Sequence, residues 1–157
     1  QYEVINIKTV QTEKSQLSFF EGEHTFHFPI KRIYYHVPAG ARRVAHAHKT
    51  LKQKLFCPYG SITIFLNNGE GEEHIVLDNP SIGIVIYPGL WRDVMWNIDN
   101  SVLCVAASEY YDDGDYIRDY NEYLAYIESI HATQTPDTNV FQAFVGIIDA
   151  KNMQEFE

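Results

Sequence analysis

The chain has 157 residues and a formal net charge of −9, with 12 Lys and Arg against 21 Asp and Glu. This length is typical of a single domain with its own hydrophobic core. The acidic balance argues against general nucleic-acid binding, which needs clustered basic side chains at the phosphates. No apolar run approaches the roughly 20 residues of a membrane-spanning helix. We therefore expect neither nucleic acid nor a membrane as a partner.

The cysteines point to a reducing compartment. Cys57 and Cys104 each lie in an apolar stretch, and their spacing matches no metal-binding or redox motif. Buried thiols of this kind behave as small hydrophobic side chains. We expect both to be reduced, in a cytoplasmic protein.

The first 114 residues predict a series of short strands. These segments are rich in β-branched and aromatic residues and are bounded by Gly, Pro, Asn or Asp. They span 2–10, 17–20, 30–37, 54–57, 61–66, 73–77, 82–87, 91–98 and 102–108. Asn68-Gly69 supplies the positive φ angles of a tight hairpin. The pattern predicts an all-β fold, a jelly roll or small barrel of antiparallel strands.

The pattern then changes to that of a helix. Apolar residues recur with helical period at Ile117, Tyr120, Tyr123, Leu124, Ile127 and Ile130. Asp115 is a candidate N-cap, so we predict a C-terminal helix over 115–130 that packs against the sheet. Residues 1–130 are predicted to form one domain. Residues 131–157 form a tail of uncertain role.

Two histidines one residue apart, His46 and His48, form the candidate functional centre. In an extended segment, such residues point to the same face. Paired neutral imidazoles serve either as metal ligands or as an acid/base pair. A basic patch that could bind an anionic small molecule lies just before them, at Lys31, Arg32, Arg42 and Arg43.

The spacing around the histidines resembles the first cupin motif. The motif reads Gly40-x5-His46-x-His48-x4-Gln53-x6-Gly60, with Gln in place of the usual Glu. The stretch 83–89 resembles the start of the second cupin motif. Trp91-Arg92 stand where that motif usually has a metal-binding His. Cupins are jelly-roll barrels, so the resemblance and the strand pattern imply the same cupin jelly-roll fold.

The two departures from the cupin pattern argue against a metal. A cupin metal site usually combines three His and one Glu. Gln53 is a neutral amide, and Arg92 is a permanent cation that a divalent ion would repel. Because only His46 and His48 remain as ligands, we predict no metal and no cofactor.

A subset of cupins performs metal-free chemistry on nucleotide-linked sugars, and this chain is similar to it. The similarity is to the dTDP-4-keto-6-deoxyglucose 3,4-ketoisomerases, the WxcM-like sugar isomerases of the RmlC-like cupin superfamily. It covers about residues 4–130. The matching segments are Ile30-Lys-Arg-Ile-Tyr-Tyr, Arg43-x-x-His-Ala-His-Lys, Pro88-x-x-Trp91 and Ser108-Glu-Tyr-Tyr-Asp-x-x-Asp-Tyr-Ile-Arg118.

The resemblance implies a substrate, a reaction and an assembly. The substrate would be a dTDP-linked 4-keto-6-deoxy sugar, converted to a dTDP-3-keto-6-deoxyhexose. The product would serve the synthesis of 3-amino-3,6-dideoxyhexoses for surface glycans such as O-antigen. The resemblance also implies a strand-exchanged homodimer. Lys14 could approach the cavity from a neighbouring chain.

Moving a ketone from C4 to C3 requires a base, an acid and donors that stabilise an enediolate. His46 and His48 are the predicted catalytic residues, and which of them is the base stays open. Tyr34 or Tyr35, together with Gln53, would orient the sugar hydroxyls. Arg guanidinium groups match phosphate oxygens in pairs. The diphosphate is therefore assigned to Arg32 and Arg43.

The last two predicted substrate-binding residues are Trp91 and Arg92. Trp91 is interpreted either as a wall against the substrate or as core packing. Arg92 cannot release a proton near neutral pH, so it cannot protonate C4. Its presence in place of His favours the gluco product. Two other functions stay open: a metal-dependent cupin enzyme (a dioxygenase or a sugar isomerase), and a non-catalytic sugar-binding cupin.

Overall fold

The computed structural model describes residues 1–21, 27–39 and 43–133. These ranges contain twelve β-strands and one α-helix, α1, which covers 120–133. The strands are β1 (Tyr2–Asn6), β2 (Lys8–Gln11), β3 (Gln16–Phe19), β4 (Arg32–His36), β5 (Arg43–His48), β6 (Gln53–Tyr59), β7 (Ile62–Asn67), β8 (Glu72–Leu77), β9 (Ile82–Ile86), β10 (Trp91–Trp96), β11 (Val102–Ala107) and β12 (Tyr116–Ile117).

Two five-stranded antiparallel sheets enclose the hydrophobic core. The first has the order β1-β9-β6-β11-β4, and the second has the order β12-β5-β10-β7-β8. Apolar side chains of both sheets meet between them, among them Leu55, Ile64, Ile84 and Val105. Burial of these side chains is the main force that holds the sheets together. The predicted all-β jelly roll of antiparallel strands is confirmed.

The tight hairpin predicted from Asn68-Gly69 joins β7 to β8. The two strands pair from Ile62 opposite Leu77 to Asn67 opposite Glu72. Gly69 has a φ of 93°, a conformation that glycine adopts without strain. The Asn67 side chain accepts a hydrogen bond from the Gly69 amide at 2.7 Å. Local turn chemistry therefore sets this register.

The predicted start of the helix at residue 115 is wrong. Residues Asp113–Asp115 form a 3-10 turn, and β12 follows it and pairs with β5. The helix α1 begins at residue 120, where the Asp119 carboxylate accepts a hydrogen bond from the Glu122 amide at 3.0 Å. Asp119 is thus the N-cap. Asp115 is instead held by hydrogen bonds to the segment that follows β5.

Helix α1 packs on the outer face of the second sheet, as predicted. Its Tyr123 is fully buried against Trp91, Ala47 and Ile117. The Tyr123 hydroxyl lies 2.8 Å from the Gly89 carbonyl oxygen and anchors the helix to the turn before β10. No helix of the described ranges is long and apolar enough to cross a membrane. Residues 134–157 of the predicted tail, which begins at residue 131, lie outside the described residues.

Candidate active site

Strand β5 places both histidines inside the barrel. Its alternation turns Val44, His46 and His48 toward the interior, while Ala45 and Ala47 pack on the opposite face. The two imidazole centroids are 4.8 Å apart, and their planes are nearly perpendicular at 87°. His48 has no solvent exposure. The shared face predicted for the pair is thus present.

Asp115 holds the ring of His48. The distance from His48 Nδ1 to Asp115 Oδ2 is 3.1 Å. Burial raises the pKa of Asp115, but hydrogen bonds from Thr50 and Leu51 together with the charge of His48 outweigh this effect and lower it. The carboxylate is therefore ionised and can only accept a hydrogen bond. Nδ1 of His48 must donate, which leaves the lone pair on Nε2.

Both imidazoles are neutral at physiological pH. Burial, with further contributions from the charges of Arg92, His48 and Arg118, lowers the pKa of His46 to about 2. Burial and Arg92 lower the pKa of His48 to about 3, although Asp115 acts in the opposite direction. A neutral imidazole has one ring nitrogen that can take a proton. Each imidazole is thus in the form that can accept a proton before substrate binds.

A buried hydrogen-bonded chain runs from Arg92 to Tyr34. The Arg92 guanidinium donates to the side-chain oxygen of Gln53 and, at 3.0 Å, to the carbonyl of Leu90. The Gln53 amide donates to the Tyr34 hydroxyl at 2.8 Å. Burial lowers the pKa of Arg92 to about 10 and raises the pKa of Tyr34. Arg92 therefore stays charged at neutral pH, opposite His46 across β10 and β5.

Several buried nitrogens near these hydrogen bonds have no hydrogen-bond partner in the described part of the molecule. They are Nε2 of His46, Nε2 of His48, Nε of Arg92 and Nε of Arg32. Most buried polar atoms in proteins are hydrogen-bonded. Clustered exceptions beside a cavity are candidates for contacts with a ligand.

The cavity lies between the inner faces of the two sheets, near the edge strands β4 and β12, and has a volume of about 270 Å³. Its polar lining consists of Tyr34, His36, His46, Trp96, Tyr116 and Arg118. Val44, Val94 and Leu103 add apolar surface. Ligand pockets usually measure about 300–1,000 Å³. This cavity therefore suits one sugar ring rather than a whole nucleotide sugar.

Three residues of the site, Asp115, Tyr116 and Arg118, were not predicted as functional. The Tyr116 ring lies 4.4 Å from the His48 ring and 5.3 Å from the His46 ring. The Arg118 guanidinium stacks on Tyr116 at 4.2 Å. All three belong to the matching segment that ends at Arg118, which was the available signal. The predicted helix over 115–130 included these three residues and gave them a packing role instead of a functional one.

The structure places three predicted substrate-binding residues outside this cavity. Tyr35 is 73% exposed, because only Tyr34 of the adjacent pair can face inward from β4. Arg43 lies on the outer face of the second sheet, where its Nε donates to Asp93 at 2.7 Å. Trp91 packs against Tyr123 beneath α1. These assignments are corrected, and Trp91 is core packing.

The remaining predicted residues stay with the site. His46, His48, Gln53 and Arg92 are adjacent, as described above. Arg32 lies over the Tyr34 ring at 5.0 Å and near Tyr111 at 5.5 Å. Lys14 is exposed in the turn between β2 and β3. Arg42 and Gly40 of the predicted patch and motif lie outside the described residues.

The donor set does not fit the usual cupin metal. The side-chain oxygen of Gln53 is engaged by the Arg92 guanidinium, which places a cation where a fourth ligand would be. Within the described ranges, no group of three or more His, Cys, Asp or Glu side chains is arranged to hold a metal ion. The residues present thus form a hydrogen-bonding and proton-accepting site.

The fold and the site define a cupin-type barrel with a buried imidazole pair. The family model described as "FdtA: WxcM-like, C-terminal" matches residues 1–128. The chain belongs to this family. The predicted resemblance is confirmed.

Three relatives illustrate the family. A TDP-4-oxo-6-deoxy-alpha-D-glucose-3,4-oxoisomerase from Aneurinibacillus thermoaerophilus is 36% identical over 130 residues, which are 82% of this chain and 94% of the relative. A histidine-to-asparagine mutant of the 3,4-ketoisomerase QdtA from Thermoanaerobacterium thermosaccharolyticum, in complex with TDP-4-keto-6-deoxyglucose, is 36% identical with a TM-score of 0.76, over 82% of this chain and 94% of that one.

The third relative is the WlaRB TDP-quinovose 3,4-ketoisomerase from Campylobacter jejuni. It is 38% identical with a TM-score of 0.70, over 79% of this chain and 97% of that one. All three names describe sugar 3,4-ketoisomerases or oxoisomerases. The predicted isomerase class is therefore confirmed.

Proposed function

We propose that this protein converts TDP-4-keto-6-deoxyglucose to a TDP-3-keto-6-deoxyhexose by metal-free acid/base chemistry at His46 and His48. One observation carries the proposal: two buried neutral imidazoles, each with an unpartnered Nε2 among the described residues, are in contact, and His46 lines a sugar-sized cavity. The names of the relatives support the substrate and the reaction.

The reaction needs two proton transfers at carbon. Removal of the C3 proton and protonation of O4 converts the 4-ketone to an enediol. Loss of the O3 proton and protonation of C4 then gives the 3-ketone, so no electrons are exchanged with a cofactor. A positioned imidazole contributes roughly 10²–10⁴-fold to each such transfer.

The histidines differ in how well they can carry the proton. The carboxylate of Asp115 stabilises positive charge on His48, at 3.1 Å from Nδ1. Arg92 disfavours protonation of both histidines, and among the described residues no carboxylate offsets this effect at His46. This contrast favours His48 as the group that holds a proton between steps.

Arg92 and Tyr34 are suited to stabilise the enediolate. Negative charge develops on O3 and O4, and donors already in place at those atoms lower the barrier. The Arg92 guanidinium is fully buried, so its interaction with an oxyanion is weakly screened. Tyr34 lines the cavity and is linked to Arg92 through Gln53.

Arg32 and Arg118 are the proposed diphosphate ligands. Arg118 lines the cavity, and its guanidinium pairs only with the exposed carboxylate of Asp113, at 2.9 Å, among the ion pairs of the described ranges. Exposed pairs of this kind contribute little stability, so a phosphate can take the place of Asp113. Arg32 is held between two aromatic rings at the same side of the site.

We further propose the gluco product, TDP-3-keto-6-deoxyglucose. Arg92 occupies a position from which a His could protonate C4, and an arginine cannot do so. The quinovose-named relative supports this configuration, because quinovose is 6-deoxyglucose. The product would pass to an aminotransferase that makes 3-amino-3,6-dideoxyhexoses for surface glycans, in the cytoplasm.

A homodimer is the proposed assembly. The outer face of the first sheet leaves Ile33 68% exposed and Tyr35 73% exposed, an apolar surface suited to a second copy. Strand β1 pairs with β9 of its own chain. In a strand-exchanged dimer, β1 would instead pair with β9 of the second copy. Sedimentation of wild-type protein and of Ile33→Glu tests the assembly: a dimer that the variant dissociates supports it, and a wild-type monomer contradicts it.

The proposed reaction is tested by NMR with TDP-4-keto-6-deoxyglucose in D2O. We expect deuterium to enter C4 of the product and, through the reverse reaction, C3 of the substrate. The exchange should be lost in His46→Asn and His48→Asn but should persist with EDTA. Loss of exchange with EDTA would favour a metal-dependent cupin enzyme. Binding without any exchange in wild-type protein would favour a sugar-binding cupin and overturn the proposal.

A further inference from the structure

Trp96 carries a buried donor that the proposed chemistry does not use. Its side chain is 5% exposed, and its Nε1 has no hydrogen-bond partner within the described part of the chain. The indole N–H can only donate. A buried donor without an acceptor costs free energy, so such atoms in a cavity wall often bind a ligand.

The position of Trp96 relates this donor to the reaction site. Arg92, Val94 and Trp96 alternate with outward residues on β10, so all three face the interior. Four residues of strand separate the Cα atoms of Arg92 and Trp96 by roughly 13 Å. Trp96 and His46 line the same cavity. The indole therefore forms the opposite end of the space that begins at the imidazole pair.

The indole is held in place by packing rather than by hydrogen bonds. The His36 ring packs on it edge to face, with centroids 4.9 Å apart and an interplanar angle of 67°. Val44, Val94 and Leu103 surround the same end of the cavity with apolar surface. This end thus combines the unpartnered indole N–H and the His36 imidazole with apolar side chains.

We propose that this end of the cavity selects the sugar, with the Trp96 N–H donating to an oxygen of the hexopyranose ring system. A 6-deoxyhexose matches it, because it presents a methyl group and acceptor oxygens side by side. The apolar residues contact the methyl group. The indole N–H, which is buried without an acceptor among the described residues, gains one when the sugar binds. The inference rests on the proposed function and adds a binding residue on the side of the sugar remote from the histidines.

The indole resonances give a direct test. The chain has 2 Trp, and Trp91 packs under α1, outside the cavity. In ¹⁵N-labelled protein, saturating TDP-4-keto-6-deoxyglucose should move the Trp96 Nε1–H proton resonance downfield and leave that of Trp91 in place. TDP alone should move neither. Trp96→Phe identifies the resonance by removing it.

Two outcomes overturn the inference. If the sugar nucleotide is turned over while the Trp96 resonance stays unchanged, the indole does not bind it, although the proposed function stands. If TDP alone moves the resonance equally, this end receives the nucleotide. A sugar-dependent shift without turnover would instead contradict the isomerase and leave the sugar site intact.

Kinetics supply an independent measurement. Trp96→Phe keeps an aromatic ring but removes the donor, so KM for the sugar nucleotide should rise about tenfold. The inhibition constant of TDP should not change. Trp91→Phe makes the same substitution outside the cavity and should leave KM unchanged. Equal KM values for wild type and Trp96→Phe would contradict the inference.

Discussion

Asp115 Oδ2 lies 3.1 Å from Nδ1 of His48, although 67 residues separate the two in sequence. The same carboxylate accepts hydrogen bonds from the Thr50 amide at 2.7 Å and the Leu51 amide at 3.3 Å. These bonds hold the carboxylate still, so the direction of the His48 ring is set before substrate binds. Asp115 is therefore a positioning residue for the imidazole.

Asp115→Asn should lower kcat by about 100-fold with little change in KM. The two donors of Thr50 favour the amide oxygen on their side, so the amide nitrogen faces Nδ1 of His48 and cannot accept from it. The neutral amide also no longer stabilises an imidazolium, so His48 loses its favoured tautomer. Stopped assays by NMR at saturating substrate measure the effect. Nitrogen-15 shifts of the His48 ring should show a tautomer change, which a purely structural role would not produce.

Asp112→Asn is the matched control for this prediction. Asp112 caps the neighbouring 3-10 turn through the Gly114 amide, 3.0 Å from its carboxylate. Asn caps turns about as well as Asp, so kcat should stay at the wild-type value. Equal losses in both variants would mean that the segment, and not the His48 contact, limits the rate.

The buried histidines should make the fold acid-sensitive. Burial lowers the pKa of His46 to about 2 and that of His48 to about 3, whereas an unfolded His titrates near 6.5. Between those values the unfolded chain binds protons that the folded chain does not. The free energy of unfolding is therefore independent of these two titrations above about pH 6.5, and it decreases as the pH falls below that value.

Urea unfolding at several pH values measures this loss. Each buried His contributes about 1.4 kcal/mol per pH unit below roughly pH 6. His46→Asn should reduce the slope of unfolding free energy against pH by that amount, and the slopes should coincide above pH 7. If wild type and His46→Asn had equal slopes below about pH 6 as well as above it, His46 would take up its proton in the folded state, and the prediction would be wrong.

The parts of this structure that local pattern determines could be predicted from the sequence. The inward face of His46 and His48 follows from alternation along one strand, and the Asn68-Gly69 hairpin follows from turn chemistry. Both depend on residues close in sequence. The jelly roll follows from many such strands with no early helix.

The errors arose where the outcome depends on contacts between distant segments. Asp115 has the local features of an N-cap, but the pairing of β12 with β5 determines its actual place. Arg43 and Trp91 lie next to site residues in sequence, yet alternation turns them to the outer face. Which face of a strand meets the cavity is decided by the assembled sheets.

Arg118→Gln should weaken TDP binding by about tenfold, because a charge-assisted hydrogen bond to phosphate is lost. Its guanidinium is half exposed and stacks on Tyr116, so the fold should be retained. Titration calorimetry with TDP at fixed salt measures the affinity. Arg43→Gln removes the same charge from the outer face, and its affinity should match wild type. A loss confined to Arg43→Gln would reverse our correction.

Gly60→Ala should destabilise the fold by about 2 kcal/mol or more. Gly60 has a φ of 97°, and a Cβ there would lie 2.7 Å from the Ser101 Cα. The backbone must therefore shift. At Gly71 a Cβ would meet no atom within 4 Å, so Gly71→Ala should stay within about 0.5 kcal/mol of wild type. Urea unfolding decides, and equal stability of the two variants would contradict the prediction.

Arg92→His should change the configuration of the product at C4. Arg92 donates to Gln53 and to the Leu90 carbonyl at 3.0 Å, and it carries no proton that it can release. A histidine there adds a titratable group across from His46 and can protonate C4 from a second direction. We expect a mixture that contains the galacto product, with wild type giving the gluco product alone.

The coupling between H4 and H5 distinguishes the two products by NMR, because it is large when both hydrogens are axial and small when H4 is equatorial. Arg92→Gln is the matched control: it adds no titratable group, so turnover should fall while the product stays gluco. If Arg92→His still yields only the gluco product, another residue determines the face of protonation. If wild type yields the galacto product, the proposed configuration is wrong, and Arg92 itself is compatible with protonation from the other face.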